Sequence, residues 1–311
     1  MARNRIIYQS QSVAVKTTGG AVTTINGVQS VSYGLDVTRE DINQFGDLGA
    51  VDRIVLEAPV ANAEVSFYVG GLAAGGSVNS ISGILDNAIK GNTTTLYIGL
   101  DNNEGEDYDN ADIETVSIVS GNMTSLNAEA SVGAIPTMTM GFEGTDLSFA
   151  AVPGGIPAPG TPNFATQSGV VVGLGSDSVT GFHTHVQSAT VSFDLGLEGL
   201  QKLGSADAPY VYARVPSFPA SASLQLESLA INKGMELTLA SLKQKASEGT
   251  KSSDGGMINV NVNFGGQLFA LVNATLDSVS FNNSIGDNAT ASATFSCSIG
   301  GPTSVSTLVI S

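Results

Sequence analysis

Apolar and polar residues alternate along much of this chain. A period of two recurs in Ile6–Val15, Val28–Val37, Ala61–Val69, Ser131–Phe142, Gln187–Leu195, Ala220–Leu229, Met257–Phe264 and Thr303–Ile310. Alternation at this period gathers the apolar residues on one face, so each run predicts a half-buried β-strand. Two stretches follow a different rule. Val78, Ile81, Leu85 and Ile89 stand at i, i+3, i+7 and i+11, and Met235, Leu239, Leu242 and Ala246 at i, i+4, i+7 and i+11. Each spacing makes one apolar helical stripe, fit to lie across a sheet. Ser77 is placed to cap the first helix and Gly91 to end it. Asn26-Gly27 and Asp254-Gly255 are turn pairs that suit hairpins.

The pattern occurs twice. Val28–Gly46 (VQSVSYGLDVTREDINQFG) aligns without a gap to Val186–Gly204 (VQSATVSFDLGLEGLQKLG), at an offset of 158 residues from end to end (186 − 28 and 204 − 46). Val28, Gln29, Ser30, Asp36, Glu40 and Gly46 recur as Val186, Gln187, Ser188, Asp194, Glu198 and Gly204. Each block leads into an alternating strand and then a helix candidate. Further on, Leu96-Tyr97 pairs with Leu268-Phe269, and Met138, Met140 and Phe142 with Phe295, Cys297 and Ile299. On this pairing the second half has an insertion around Ser252–Phe264 and the first around Asp101–Glu114. Between the halves, VPGGIPAPGTPNFATQSG is dense in Pro and Gly and shows no period, the mark of an extended linker. The expected organisation is a first domain over 1–151, a linker over 152–169 and a second domain over 170–311, each domain a β-sandwich or barrel with one packed α-helix. A length of 311 residues suits two such domains.

Composition changes the picture in one respect. Charged residues are 13% of the chain, about half the usual ~25%, and 37 glycines with many Ser, Thr and Asn take their place. A surface this poor in charge suggests cover by other subunits. The net charge of −16 argues against gripping DNA, which requires Lys and Arg to displace counterions. The single cysteine, Cys297, lies in an alternating run and reads as a small core residue. No intrachain disulfide is possible and a Cys-based zinc site is not expected. The opening MARNRIIYQS has neither an apolar stretch nor a cleavage pattern, and no segment approaches the ~20 apolar residues of a membrane-spanning helix. The expectation is a chain folded in a cytoplasm, without a membrane partner.

Candidate chemistry is sparse. His183 and His185 share a strand face, which offers two corners of a metal site, but nothing nearby completes it. The run DNNEGEDYDNADIE places Asp101, Glu104, Glu106, Asp107, Asp109, Asp112 and Glu114 together without a base. Its spacing does not fit an EF-hand, and a solvated loop is the simpler reading. Gly70-Gly71, Gly75-Gly76 and Gly154-Gly155 lack the Lys of a phosphate loop and read as flexible loops. A carbohydrate-active enzyme needs paired carboxylates and usually aromatic platforms; aromatics are 6% of this chain, with no Trp. No catalytic, cofactor-binding or metal-binding residue is assigned, and no cofactor is expected. A secreted adhesive or surface-layer protein would share the composition but should carry an export signal.

The stretch Gly27–Phe67 (GVQSVSYGLDVTREDINQFGDLGAVDRIVLEAPVANAEVSF) and the opening RNRIIYQSQSVAV resemble bacteriophage tail tube proteins, and the second half joins the resemblance through the duplication. The resemblance implies a non-enzymatic subunit with two tandem tail-tube-like β domains. Such domains stack as rings whose strands join into one barrel around a channel for DNA. A duplicated chain fills six positions with three copies, a trimeric, pseudo-hexameric ring. Implied partners are further copies, other tail proteins (tape measure, terminator, baseplate or tip) and phage DNA in transit, without specific binding. The implied location is the virion tail, assembled in the host cytoplasm. A hub or terminator ring is the alternative within the same class. Val28–Val37 and Gln187–Leu195 are the expected lumen strands. Arg3 and Arg5 are the expected basic arm reaching an acidic loop of the next ring.

Overall fold

The computed structural model describes residues 11–55, 59–100, 114–150, 152, 155–157, 159–161, 163–174, 185–201, 211–229, 258–283, 288–299 and 307–311. The fold is mainly β, with one α-helix among the described residues. The first half holds β1 (Gln11–Thr17), β2 (Thr23–Ile25), β3 (Val28–Asp36), β4 (Arg39–Asn43), β5 (Ala50–Val55), β6 (Val60–Tyr68), α1 (Ile81–Ile89), β7 (Thr94–Leu100), β8 (Glu114–Val119), β9 (Asn122–Ser131), β10 (Thr137–Gly144) and β11 (Asp146–Phe149). The second holds β12 (Val170–Leu174), β13 (Val186–Asp194), β14 (Leu197–Gln201), β15 (Val211–Pro216), β16 (Ser221–Leu229), β17 (Ile258–Phe264), β18 (Gln267–Asn282), β19 (Thr290–Ser298) and β20 (Thr307–Ile310).

The strand pairings of one half repeat in the other. β3-β6-β10-β9 lie side by side in the first half, and β13-β16-β19-β18 in the second. A covering layer repeats as well: β1-β7-β8-β11 against β12-β17-β18-β20. β18 does the work of two strands. Its start pairs with β17 and β20, as β8 does with β7 and β11, and its end pairs with β19, as β9 does with β10. Irregularities repeat too. One extra residue falls at Gln29 in β3 and at Gln187 in β13, and another at Thr124 in β9 and Asp277 in β18.

These ladders correct part of the alignment read from sequence. Met138, Met140 and Phe142 face β6 as Ala291, Ala293 and Phe295 face β16, an offset of 153 (291 − 138). The expected partners Phe295, Cys297 and Ile299 are four residues too far along, an error that preserves strand parity and so leaves alternation looking right. Leu268-Phe269 answers to Thr115-Val116 of β8, not to Leu96-Tyr97. Ile258–Phe264 is β17, the counterpart of β7, and so part of the shared framework and not an insertion.

Alternation builds the core. Ala61, Ala63, Val65 and Phe67 of β6 point to one side and are buried, while Asn62, Glu64 and Ser66 point to the other. Against the buried side lie Ile81, Ile84, Leu85 and Ala88 of α1 and the apolar rows of the covering strands, in a single cluster spanning both halves. Ser80, not Ser77, caps α1 and accepts from the Gly83 N–H at 3.2 Å. The Ile81 and Ser82 N–H groups donate to Ala73 and Ala74 carbonyls at 2.9 Å, so the preceding loop satisfies the helix start and leaves Val78 exposed. The second helix candidate, Met235–Ala246, lies outside the described residues.

Asn26-Gly27 does not close a hairpin. β2 pairs with β1 and β3 with β6, so the chain changes sheet there, with Gly27 at φ 67°. Gly70-Gly71 is fixed by close packing: a Cβ on Gly71 would stand 2.0 Å from the Asn26 carbonyl oxygen. The described residues of 152–164 run along the first half, and Gly169 reaches the second, where its carbonyl accepts from the Gly265 N–H at 3.1 Å. Val152 and Ile156 bury against Ala14, and the Phe164 ring meets Tyr68 edge-on at 5.4 Å.

Candidate functional site: a seam, two open edges and a polar face

The halves join through β9 and β13, which pair antiparallel from Ser131↔Ser188 to Ser125↔Asp194. Ala130, Ala128 and Leu126 face Ala189, Val191 and Phe193 across this seam, and all six are buried. The long sheet therefore runs unbroken from one half into the other.

The outer strands of that sheet are the counterparts of the two seam strands. β3 corresponds to β13, and residues 275–282 of β18 correspond to β9. Each has one paired side among the described residues: β3 with β6, and 275–282 with β19. Val31 and Val279 still pack partly against the core, but the apolar residues further along each edge are uncovered. Tyr33 and Leu35 are both 41% exposed and Phe281 is 42% exposed, where the seam counterparts Val191, Phe193 and Ala128 are at 4% or less. An uncapped strand with exposed apolar side chains is a template for pairing with another chain.

The side of the sheet turned away from the core is polar. It presents Ser30, Ser32, Asp36, Glu64, Ser66, Asn127, Glu129, Thr139, Glu143, Thr190, Ser192, Asp194, Ser223, Gln225, Glu227, Ser280, Ser292 and Thr294, with no Lys or Arg from these strands. Hydroxyls bridge neighbouring strands, as at Ser192–Ser223 (2.9 Å) and Ser280–Ser292 (2.6 Å).

Among the described residues, one cation reaches this face from outside. Arg214 of β15 forms an ion pair with Glu143 of β10, and its Nη2 donates to the Pro59 carbonyl at 3.4 Å. The guanidinium is buried, which lowers its pKa, and its Nε has no partner among the described residues. The ion pair ties the second half to the first.

His185 is exposed just before β13, and its carbonyl accepts from the Leu229 N–H. Cys297 is a buried residue of β19, and burial pushes its thiol up to about 11. His183, residues 101–113 of the acidic run, the Glu114 side chain, Asp254-Gly255, and Arg3 and Arg5 lie outside the described residues. Among the described residues no group of His, Cys, Asp and Glu could hold a metal ion. No described helix is long and apolar enough to cross a membrane.

Several elements escaped the sequence reading, among them one open edge and the first hairpin. Residues 275–282 were not recognised as a strand, because the extra residue at Asp277 interrupts alternation between Leu276 and Val279. The β4–β5 hairpin has no buried face to announce itself: every residue of β4 is exposed.

No family model matches the chain, and no curated protein does. Among solved structures, the chain is similar to one described as the tail of an empty GTA particle computed with helical refinement in C6 symmetry. The identity is 12% and the TM-score 0.31, over 47% of this chain and 98% of that chain.

Proposed function

We propose that the chain is a structural, non-enzymatic subunit of a bacteriophage tail tube. Three copies join edge to edge into a closed, pseudo-hexameric ring, and stacked rings enclose a lumen that conducts DNA during ejection. The observation that carries this reading is the seam. It joins two equivalent units by strand pairing, and the chain ends in two open edges equivalent to the strands that formed it. Repeating the seam between chains is a head-to-tail contact, which generates a ring when its rotation closes.

The seam also sets the register. Ser192↔Asn127 and Phe193↔Leu126 translate to Gly34↔Ser280 and Leu35↔Val279 between chains, and Val191↔Ala128 to Tyr33↔Phe281. That register covers Tyr33 and Leu35 on one edge and Phe281 on the other. The polar face, with its carboxylates and hydroxyls and no cation from its own strands, supports the channel role: it repels phosphates and offers DNA nothing to hold. Further partners on this reading are tail proteins at the tube ends and inside it, and the working location is the virion tail after assembly in the host cytoplasm.

Negative-stain microscopy of the purified chain tests the reading. Long hollow tubes are expected. Single rings that never stack would replace the tube subunit with a hub or terminator, and a monomer at every concentration would overturn the proposal.

A further inference from the structure

Two hairpins leave the long sheet, and their ladders match pair for pair, with a connection three residues longer in the second. Asp41↔Arg53 in β4–β5 corresponds to Gly199↔Arg214 in β14–β15, and the register shifts after Ile42 in one and after Leu200 in the other. Their surroundings differ. β14–β15 is anchored on the first half through Arg214, Glu143 and the Pro59 carbonyl. β4–β5 stands in solvent with Ile42, Val51 and Ile54 exposed and Phe45 and Leu48 fully so. Arg53 pairs with Asp41 of its own hairpin at 2.5 Å. Gly199 fills the Asp41 position in the other hairpin and leaves Arg214 to reach outward.

The anchoring place of Arg214 has a counterpart on the second half. There Ala220 stands where Pro59 does, and Ser296 where Glu143 does. This counterpart is an open cleft of about 320 Å³ between Pro219–Ser221 and Ser296–Ser298, with Thr275 alongside. The Ala220 carbonyl accepts from the Ile299 N–H at 2.9 Å and keeps a second lone pair. The carboxylate missing at Ser296 returns on the next strand. Thr275 Oγ1 lies 3.2 Å from Ser296 Oγ and 3.3 Å from Asp277 Oδ1, so an exposed carboxylate stands one hydroxyl away.

We propose that the β4–β5 hairpin of one chain docks in this cleft on a second copy, with Arg53 facing Asp277 and the Ala220 carbonyl. The contact rests on the ring reading, because the step that carries β13 onto β9 within the chain also carries β14–β15 onto its anchor. Repeating that step between chains brings β4–β5 over the cleft. Docking covers the apolar residues of the hairpin and releases Arg53 from Asp41 or lets it bridge both carboxylates.

A charge swap tests this in the full-length chain. Assembly is followed by sedimentation against protein concentration, with circular dichroism confirming that each variant folds. Arg53→Asp and Asp277→Arg, both at exposed sites, are each expected to raise the critical concentration at least tenfold. The double variant is expected to return it to within about threefold of the unaltered chain. Hydrogen exchange gives a second readout: the β4–β5 amides should become protected on assembly. Single variants that assemble normally, a double variant no better than the singles, or a hairpin that exchanges freely in the assembly would each overturn the docking proposal and leave the ring reading standing. An unaltered chain that never associates would overturn both.

Discussion

Ser120 and Asn273 hold the same left-handed backbone conformation, φ 50° and 55°, at matching corners of the two halves. Each sits where the chain crosses from the covering layer into the long sheet: Ser120 between β8 and β9, Asn273 within β18. The corner needs a positive φ whichever half it serves, which ties local geometry to sheet topology. A β-branched residue resists that conformation most. Ser120→Val and Asn273→Val should each destabilise the chain by about 1–2 kcal/mol in urea unfolding. Unchanged midpoints would mean that the corners are not strained.

Arg214 and Glu143 make an asymmetric pair, and their removal should be asymmetric too. Glu143→Ala strands a buried guanidinium whose Nε already lacks a partner, at a cost of about 3–5 kcal/mol. Arg214→Met removes the charge itself and leaves a carboxylate with access to water, so it should cost clearly less. Denaturant melts of the two single variants and the double variant check this. Equal losses for the two singles would contradict it.

Edge and seam positions in matching places should behave differently. Phe193→Ala empties a buried site and should cost about 3–5 kcal/mol in the isolated chain. Leu35→Lys, at the equivalent exposed site, should shift monomer stability by no more than about 0.5 kcal/mol. The same Leu35→Lys change should abolish assembly, because it sets a charge into the proposed interchain row. Melting and sedimentation of both variants separate the two effects.

Cys297 should be inert in the native chain. Burial raises its thiol from 9.0 to about 11, so almost no thiolate exists at pH 8 and a thiol reagent should react only on unfolding. The native state holds this proton to higher pH than the unfolded state does. Stability should therefore fall as pH rises from about 9 towards 11. Cys297→Ser should remove that part of the pH dependence. Rapid labelling of the folded chain would show that the site opens.

Strands were legible where alternation is uninterrupted: β3, β6, β13 and β16 lie within a residue of the expected runs. Bulges hid two of the others. The extra residues at Thr124 and Asp277 break the period of two, so β9 and the end of β18 went unread although they form the seam and an open edge. Ser131–Phe142 read as one strand because Val132 and Ile135 are apolar, yet the chain turns there with Gly133 at φ 85°. The duplication was legible from identities in the first block alone. The later offset failed because small alanines at 291 and 293 replace the methionines at 138 and 140 and leave no identity to follow. The two open edges could not be read at all, since the residues on an edge are those of any strand and only the absent neighbour marks it.

The central claim is that one chain's β3 pairs with residues 275–282 of the next in the register of the seam. Leu35→Cys with Val279→Cys, in a Cys297→Ser background, tests it most directly under mild oxidation of the assembled protein. Residues directly opposite in an antiparallel pair lie about 4.5–5.5 Å apart at Cα, within disulfide reach. The account predicts a covalent ladder on a non-reducing gel that ends at the trimer, and little cross-linking for the off-register pair Leu35→Cys with Phe281→Cys. Assembly without a Leu35–Val279 bridge, equal bridging by the off-register pair, or a ladder continuing past the trimer would contradict it.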